Sequence, residues 1–274
     1  NGGFKKLLDN GVVYTNASYP FSFFFRASAI ATISTGTTPY YNSIIGEKWL
    51  DKETLRPHNC VDDINYNGYL TDAKSSPANI LSSTLSDELK VATSGKAIVY
   101  AIAPFREAAI ISAGHAADGA IWIDDINGQW CSSTYYFAQL PSWISAYQRI
   151  YANTFVETEW KPINELSGNF SYFLSGGMQS PFNHKFKDDN RYIKFKTSGL
   201  VNESITDISL QCLNSTGIGI DNITDLLNIT YYAGCYDSKP VAECQMEIQD
   251  TYVRLDKSIE KLISKIEERF GSDK

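Results

Sequence analysis

An α/β fold, with a mostly parallel mixed sheet layered between helices, is predicted by three features of this 274-residue chain. Strand-like and helix-like segments alternate along it, which points to a layered α/β architecture. The run Ala97-Ile98-Val99-Tyr100-Ala101-Ile102-Ala103 is almost continuously apolar, as expected of a strand buried on both faces. Near the C-terminus, Tyr252, Leu255, Ile259, Leu262 and Ile266 recur at helical steps and form one core-facing stripe.

Taken in order, Gly11 to Thr15 reads as a short strand, and Arg26 to Ser34 as the helix that follows it. Ser76-Pro77 predicts a helix start with proline in the first turn. Ile80, Leu81, Leu85 and Leu89 continue it at helical spacing, and Gly95 is placed to end it. The apolar strand at 97–103 comes next, then a helix over Pro141 to Ala152. From Asn153 to Asn190 the texture becomes irregular, aromatic and rich in Gly and Asn. It is expected to be an inserted cap or long loop (153–190), leaving 1–152 and 191–274 as the core. A helix near 201–215, a strand at 226–232 and the long helix from about Glu243 to Phe270 complete the chain.

Composition narrows the function classes. The net charge of −7, with no basic run, argues against a nucleic-acid partner. No apolar stretch is long enough for a transmembrane span, and the first residues carry no signal-peptide pattern. The five cysteines (Cys60, Cys131, Cys212, Cys235, Cys244) show neither CxxC pairs nor zinc-ribbon spacing. One or two disulfides or buried free thiols both fit, and Cys235 and Cys244 are nearest in sequence. Six Asn-x-Ser/Thr sites (Asn16, Asn169, Asn202, Asn214, Asn222, Asn228) say little in a chain so rich in these residues.

Residues 14–46, YTNASYPFSFFFRASAIATISTGTTPYYNSIIG, carry the strongest functional signal. They resemble a catalytic segment of the alkaline phosphatase superfamily, in the type I phosphodiesterase/nucleotide pyrophosphatase-like branch, which reads roughly TNA-x-YP-x(5)-TGPGHATI-x-TGT-x-P. Thr15-Asn16-Ala17, Tyr19-Pro20 and the run from Ala31 to Pro39 match it. So do Ala108 to Tyr136, with its AGH and SSTYY, and the segments DLLNITYYAG and DTYVRLDKSIEKL. The resemblance implies a three-layer α/β sandwich, a phosphoric-ester hydrolase activity and two metal ions, usually zinc. It further implies export to the periplasm or cell surface. It also implies that a first strand with a metal-binding Asp would precede Asn1, and that a DHG-type segment would follow Lys274.

The reacting residues of that pattern are replaced. Its threonine nucleophile falls on Arg26, and its GPGH on Ala27, Ser28, Ala29 and Ile30. Metals in such a site lower the nucleophile's pKa and clamp phosphoryl oxygens, while a helix N-terminus favours negative charge. A cation ~4 Å from a metal would cost about 4 kcal/mol per charge pair even at an effective dielectric near 20. The Asp-x-x-x-His ligand pair falls on Cys235 and Lys239, and a protonated Lys cannot ligate. The phosphate-holding Asn and Lys-x-Arg fall on Glu47, Phe105 and Glu107, with Arg106 one residue off; two of the three positions are acidic and repel phosphate.

His115, in AGHAADGA, is expected to be structural, while His58 and His184 fall in expected loops as solvated polar residues. Acid pairs such as Asp62-Asp63, Asp124-Asp125 and Asp188-Asp189 read as turn residues rather than a catalytic dyad. The sequence thus predicts a catalytically inactive relative of these hydrolases, acting as a binding or structural subunit, with no cofactor. Its old cleft, lined by Arg26, Glu47, Glu107 and Lys239, would hold an ion-pair network or a small anion, and a protein partner is the other expectation. The rival reading is a zinc-dependent phosphoric-ester hydrolase, suggested by the preserved scaffold around STGTTP and STYY.

Overall fold

The computed structural model describes residues 2–22, 24–151, 158–163, 173–174, 177–178 and 182–271. The helices are α1 (Gly3–Asn10), α2 (Arg26–Thr35), α3 (Pro39–Asn42), α4 (Leu85–Ala92), α5 (Arg106–Ala113), α6 (Ser142–Tyr151), α7 (Arg191–Lys196), α8 (Val201–Ser215) and α9 (Gln245–Phe270). The strands are β1 (Lys48–Leu50), β2 (Pro57–Asn59), β3 (Gly68–Tyr69), β4 (Val99–Ile102), β5 (Gly119–Ile123) and β6 (Trp130–Ser133). Five more follow: β7 (Glu159–Trp160), β8 (Phe173–Leu174), β9 (Gly177–Met178), β10 (His184–Lys185) and β11 (Leu226–Ile229). The chain divides into two compact units, one of residues 14–150 and 211–230, the other of 1–13, 151–210 and 231–274.

The first unit is built on a five-stranded sheet in the order β11-β4-β5-β6-β3. β11 and β4 are parallel, as are β4 and β5, whereas β5-β6 and β6-β3 are antiparallel. The parallel pair β4 and β5 needs a crossover, and α5 supplies it, packing back on both strands. Every residue of β4, β5 and β6 is buried, which is why the apolar run at 97–103 shows no alternation. The fold is a mixed central sheet flanked by helices.

Three local expectations meet a different outcome. Residues 11–15 form no strand: Val12 and Tyr14 are 83% and 82% exposed, and no strand among the described residues satisfies their backbone. The helix expected from Ser76-Pro77 begins instead at Leu85, capped by Thr84, whose hydroxyl accepts from the Asp87 amide. Ser76 is already committed to a turn, donating to Asp63 Oδ2 at 2.5 Å and accepting from the Ala78 amide at 3.1 Å. Thr84 and Asp87 form a reciprocal capping box, a stronger start signal than Pro77. The strand expected at 226–232 ends at Ile229.

The second unit includes α1, which lies along α9. The Phe4 amide donates to Asp256 Oδ1 at 2.7 Å, and Lys6 reaches Glu267 at 3.0 Å. The buried side of α9 is rotated from the expected stripe. Leu255 is buried and Ile259, Leu262 and Ile266 are half-buried, but Tyr252 is 47% exposed. Glu247, Asp250, Thr251 and Ser258 are buried instead. The reason is hydrogen bonding: Asp250 accepts from Trp160 Nε1 (2.7 Å), the Ile163 amide (2.6 Å) and Arg254 Nε (2.7 Å). Arg254 also donates to Glu203 and to the Lys161 carbonyl. Much of the expected insertion at 153–190 lies outside the described residues. Within it, Trp160 and Phe186 are fully buried in this unit, and β7 pairs antiparallel with β10.

Candidate functional site

Helix α2 begins at Arg26, with Phe25 as its N-cap in extended conformation. Phe25 has no capping side chain, so the orphaned amides of the first turn are served from elsewhere. Ser28 Oγ accepts from the Phe25 amide at 3.2 Å, and Glu47 Oε1 accepts from the Ala27 amide at 3.3 Å. Glu47 therefore supplies the negative charge that this helix end favours. At the other end Gly36 adopts the left-handed conformation (φ +66°) and donates to the Thr32 carbonyl, which stops the helix.

Arg26 turns to α5. Its Nε and Nη2 both donate to Glu107 Oε1, at 2.8 and 2.5 Å, and its guanidinium carbon lies 3.7 Å from the Phe105 ring centroid. The Glu107 side chain is 7% exposed and that of Arg26 is 39% exposed. The cation is thus wetter than expected for a cleft residue, and its partner is dry. Of the two glutamates expected near Arg26, Glu107 pairs with it and Glu47 caps the helix.

Around this pair the remaining polar groups are also engaged. Arg106 Nη2 meets Asp62 Oδ1 at 2.8 Å, and its Nη1 donates to Ser75 Oγ at 3.0 Å. Asp62 is therefore an ion-pair partner, while Asp63 and Asp124 accept local turn hydrogen bonds as expected. Cys60 is fully buried, and burial, followed by the Glu107 charge, pushes its thiol well above the usual range. It stays neutral and is no nucleophile. An apolar groove of about 660 Å³, lined by Tyr19, Pro20, Thr32, Ile33 and Tyr41 among others, includes none of Arg26, Glu47, Phe105 and Glu107.

Cys235 and Lys239 belong to the other unit. Cys235 is half-buried and precedes a 3-10 turn over Tyr236–Ser238; Lys239 is exposed just after it. Among the described residues, no group of three or more His, Cys, Asp or Glu side chains is arranged to hold a metal ion. The side chains at these positions do not suit a metal pair. Glu107 Oε1 already accepts twice from a guanidinium, Glu47 is turned onto a helix amide, and Lys239 has no lone pair to give while protonated.

The retained motif residues have structural work. In STGTT, Thr35 Oγ1 donates to the Ala31 carbonyl at 2.6 Å and accepts from Asn42 Nδ2 at 3.3 Å. In SSTYY, Ser132 and Ser133 donate to the Ala120 and Ser75 carbonyls, and Tyr135 and Tyr136 to those of His115 and Gly114. Gly114 (φ +70°) is obligatory, because a Cβ there would lie 2.1 Å from Thr84 Oγ1.

His115 sits at this corner. Its Nδ1 faces Asp87 Oδ2 at 2.9 Å and its Nε2 the Ile80 carbonyl at 3.1 Å. Both nitrogens face acceptors, so the doubly protonated ring fits best and the hydrogen bond to Asp87 raises its pKa. Burial pushes the Asp87 carboxyl up, but hydrogen bonds from His115, Thr84 and Ala116 outweigh it and hold the group down at about 2. The other two histidines are not the solvated loop residues expected. His58 lies on β2 beside Asn79 (3.1 Å) and Trp49, and His184 on β10, at 2.9 Å from Glu247 and 4.1 Å from the Tyr236 ring. Trp49 faces His58 across the β1–β2 pair, whereas Glu247 and Tyr236 are distant from His184 in sequence and no local pattern announced that contact.

This α/β architecture is that of alkaline phosphatase-type hydrolases. It superimposes on the crystal structure of the alkaline phosphatase PafA with a TM-score of 0.82 at 24% identity, over 98% of this chain and 55% of that one. A PafA variant with four substitutions gives 0.84 at 25% identity, over 98% of this chain and 56% of that one. The chain belongs to the type I phosphodiesterase / nucleotide pyrophosphatase family, which it matches over residues 1–273. Among its relatives, alkaline phosphatase PhoV of Synechococcus elongatus is 29% identical over 99% of this chain and 52% of that protein. Alkaline phosphatase PafA of Elizabethkingia meningoseptica is 27% identical over 98% of this chain and 53% of its own length. The chain therefore spans about half the length of the curated relatives it matches. No helix among the described residues is long and apolar enough to cross a membrane.

Proposed function

We propose that this chain is a catalytically inactive member of its phosphoric-ester hydrolase family, serving as an exported binding or structural subunit. The observation that carries this reading is the Arg26–Glu107 pair. The residue where the family pattern has its nucleophile is a cation, it opens helix α2, and its guanidinium is spent on a buried carboxylate. An arginine has no hydroxyl to phosphorylate, and its fixed charge opposes a nearby metal pair. Glu47 and Glu107, at positions where the pattern holds phosphate, present carboxylates that repel it.

The zinc-dependent hydrolase reading is supported by relatives named alkaline phosphatase that match 98–99% of the chain. The retained STGTT and SSTYY segments do not separate the two readings, since their side chains serve the fold. The deciding experiment is metal analysis of the purified protein together with assays on nitrophenyl phosphate mono- and diesters. The expected result is no stoichiometric zinc and no turnover. About two zinc per chain, with turnover abolished by a chelator, would overturn the inactive reading in favour of metal-dependent hydrolysis.

A further inference from the structure

The loop joining β11 to α9 carries a feature that the hydrolase pattern does not supply. Cys235 opens the first 3-10 turn (Tyr236–Ser238), and Cys244, fully buried, closes a second (Val241–Glu243) and caps α9. The chain doubles back between them through Asp237 and Ser238, both at positive φ. As a result the Cys244 side chain comes back within reach of the Cys235 thiol and of the Tyr236 amide directly after it. Its sulfur is also 3.4 Å from the Pro240 carbonyl and 3.9 Å from that of Val241. Cys235 is anchored as well, since its carbonyl accepts from the Tyr232 hydroxyl at 2.6 Å.

We propose that Cys235 and Cys244 are a redox-active pair that closes to a disulfide in an oxidising compartment. The oxidant is a small-molecule disulfide such as glutathione disulfide. Cys235, the one half-exposed thiol among the five cysteines, loses its proton and attacks one sulfur of the oxidant, releasing one thiolate. The deprotonated Cys244 sulfur then attacks Cys235 and expels the second thiolate. Two cysteine protons end on the two released thiolates, the cysteine pair is oxidised by two electrons and the oxidant is reduced by two. The other cysteines take no part: Cys60, Cys131 and Cys212 are fully buried and belong to the other unit. The bridge would pin the loop that carries Lys239. This inference is independent of whether the chain is inactive, because it concerns only the state of two sulfurs.

The test uses the reduced, folded protein, incubated with glutathione disulfide, quenched in acid, then unfolded and alkylated. Intact mass and peptide mapping read the result. Two of the five thiols are expected to escape alkylation together, with a mass loss of two hydrogens and a cross-linked peptide joining Cys235 to Cys244. C244S should instead accumulate a stable glutathione adduct at Cys235. The proposal is overturned if all five thiols remain alkylatable, or if a bridge involves Cys60, Cys131 or Cys212. A wild-type adduct at Cys235 as persistent as that of C244S would overturn it equally, as would zinc bound in proportion and shielding both thiols.

Discussion

Replacing Arg26 by threonine restores the hydroxyl of the family pattern and at the same time strips Glu107 of its cation. Glu107 is the buried partner, at 7% side-chain exposure, and Arg26 is 39% exposed. Removing one member of a fully buried pair costs about 3–5 kcal/mol, and of a fully exposed one about 0–1. A dry carboxylate with a half-wet cation falls between, at about 2 kcal/mol. Loss of the Phe105 contact adds about 0.5–1 kcal/mol. Removing a cation from the α2 N-terminus returns about 0.3–1 kcal/mol, so these two smaller effects nearly cancel. The net expectation for R26T is therefore destabilisation by about 2 kcal/mol, or a fall in Tm of roughly 4–8 °C for a unit of this size.

Urea denaturation measures this as a lower midpoint at unchanged slope. The asymmetry in burial makes a sharper claim. E107Q leaves behind only a half-exposed guanidinium, so it should cost less than R26T, and the double variant R26T/E107Q should recover most of the loss. The coupling from the double-mutant cycle should be about 1–2 kcal/mol. On the inactive reading proposed above, R26T should show no turnover of phosphate esters, because the Asn and Lys-x-Arg positions still hold Glu47, Phe105 and Glu107. An R26T variant as stable as the parent, with no coupling to E107Q, would refute the structural account of the pair. Phosphatase turnover in R26T would refute the claim that the surrounding residues also preclude chemistry.

Two further outcomes are expected. The Asp87–His115 contact should give a stability plateau between the two titrations. The raised His115 contribution is full below its unfolded pKa of about 6.5 and is lost as pH rises through its folded value. The Asp87 contribution, on the order of 2 kcal/mol, is present above about 3.8 and lost as pH falls towards 2. H115Q should flatten the alkaline side of the stability profile, and an identical slope in parent and variant would count against the pairing. In the other unit, D250A strands the Trp160 indole and the Ile163 amide and removes one of the two carboxylates paired with Arg254, which is 12% exposed. It should lower stability by about 3 kcal/mol in urea melts, and a loss under 1 kcal/mol would show that these groups find other partners.

The sequence by itself determined the layered α/β class, because burial on both faces leaves an unbroken apolar run at 97–103 and amphipathic packing leaves a periodic one in α9. It also determined that position 26 carries a cation at a helix start, since Arg26 and the chain after it are local information. What it could not determine was who answers that cation. Glu47 and Glu107 were equally placed as candidates, and only the packing of α5 beside α2 directs Glu107 to the guanidinium and leaves Glu47 for the Ala27 amide. The start of α4 at Thr84 was written in its capping box, but Pro77 offered a competing local signal that a turn hydrogen bond to Asp63 overrides. The polar buried face of α9 was hidden for the same reason. Asp250 looks solvated until Trp160 and Ile163, far away in sequence, bring their N–H groups to it. Local periodicity records how much apolar surface a segment must hide. The partners that satisfy its buried charges are fixed only when distant elements meet.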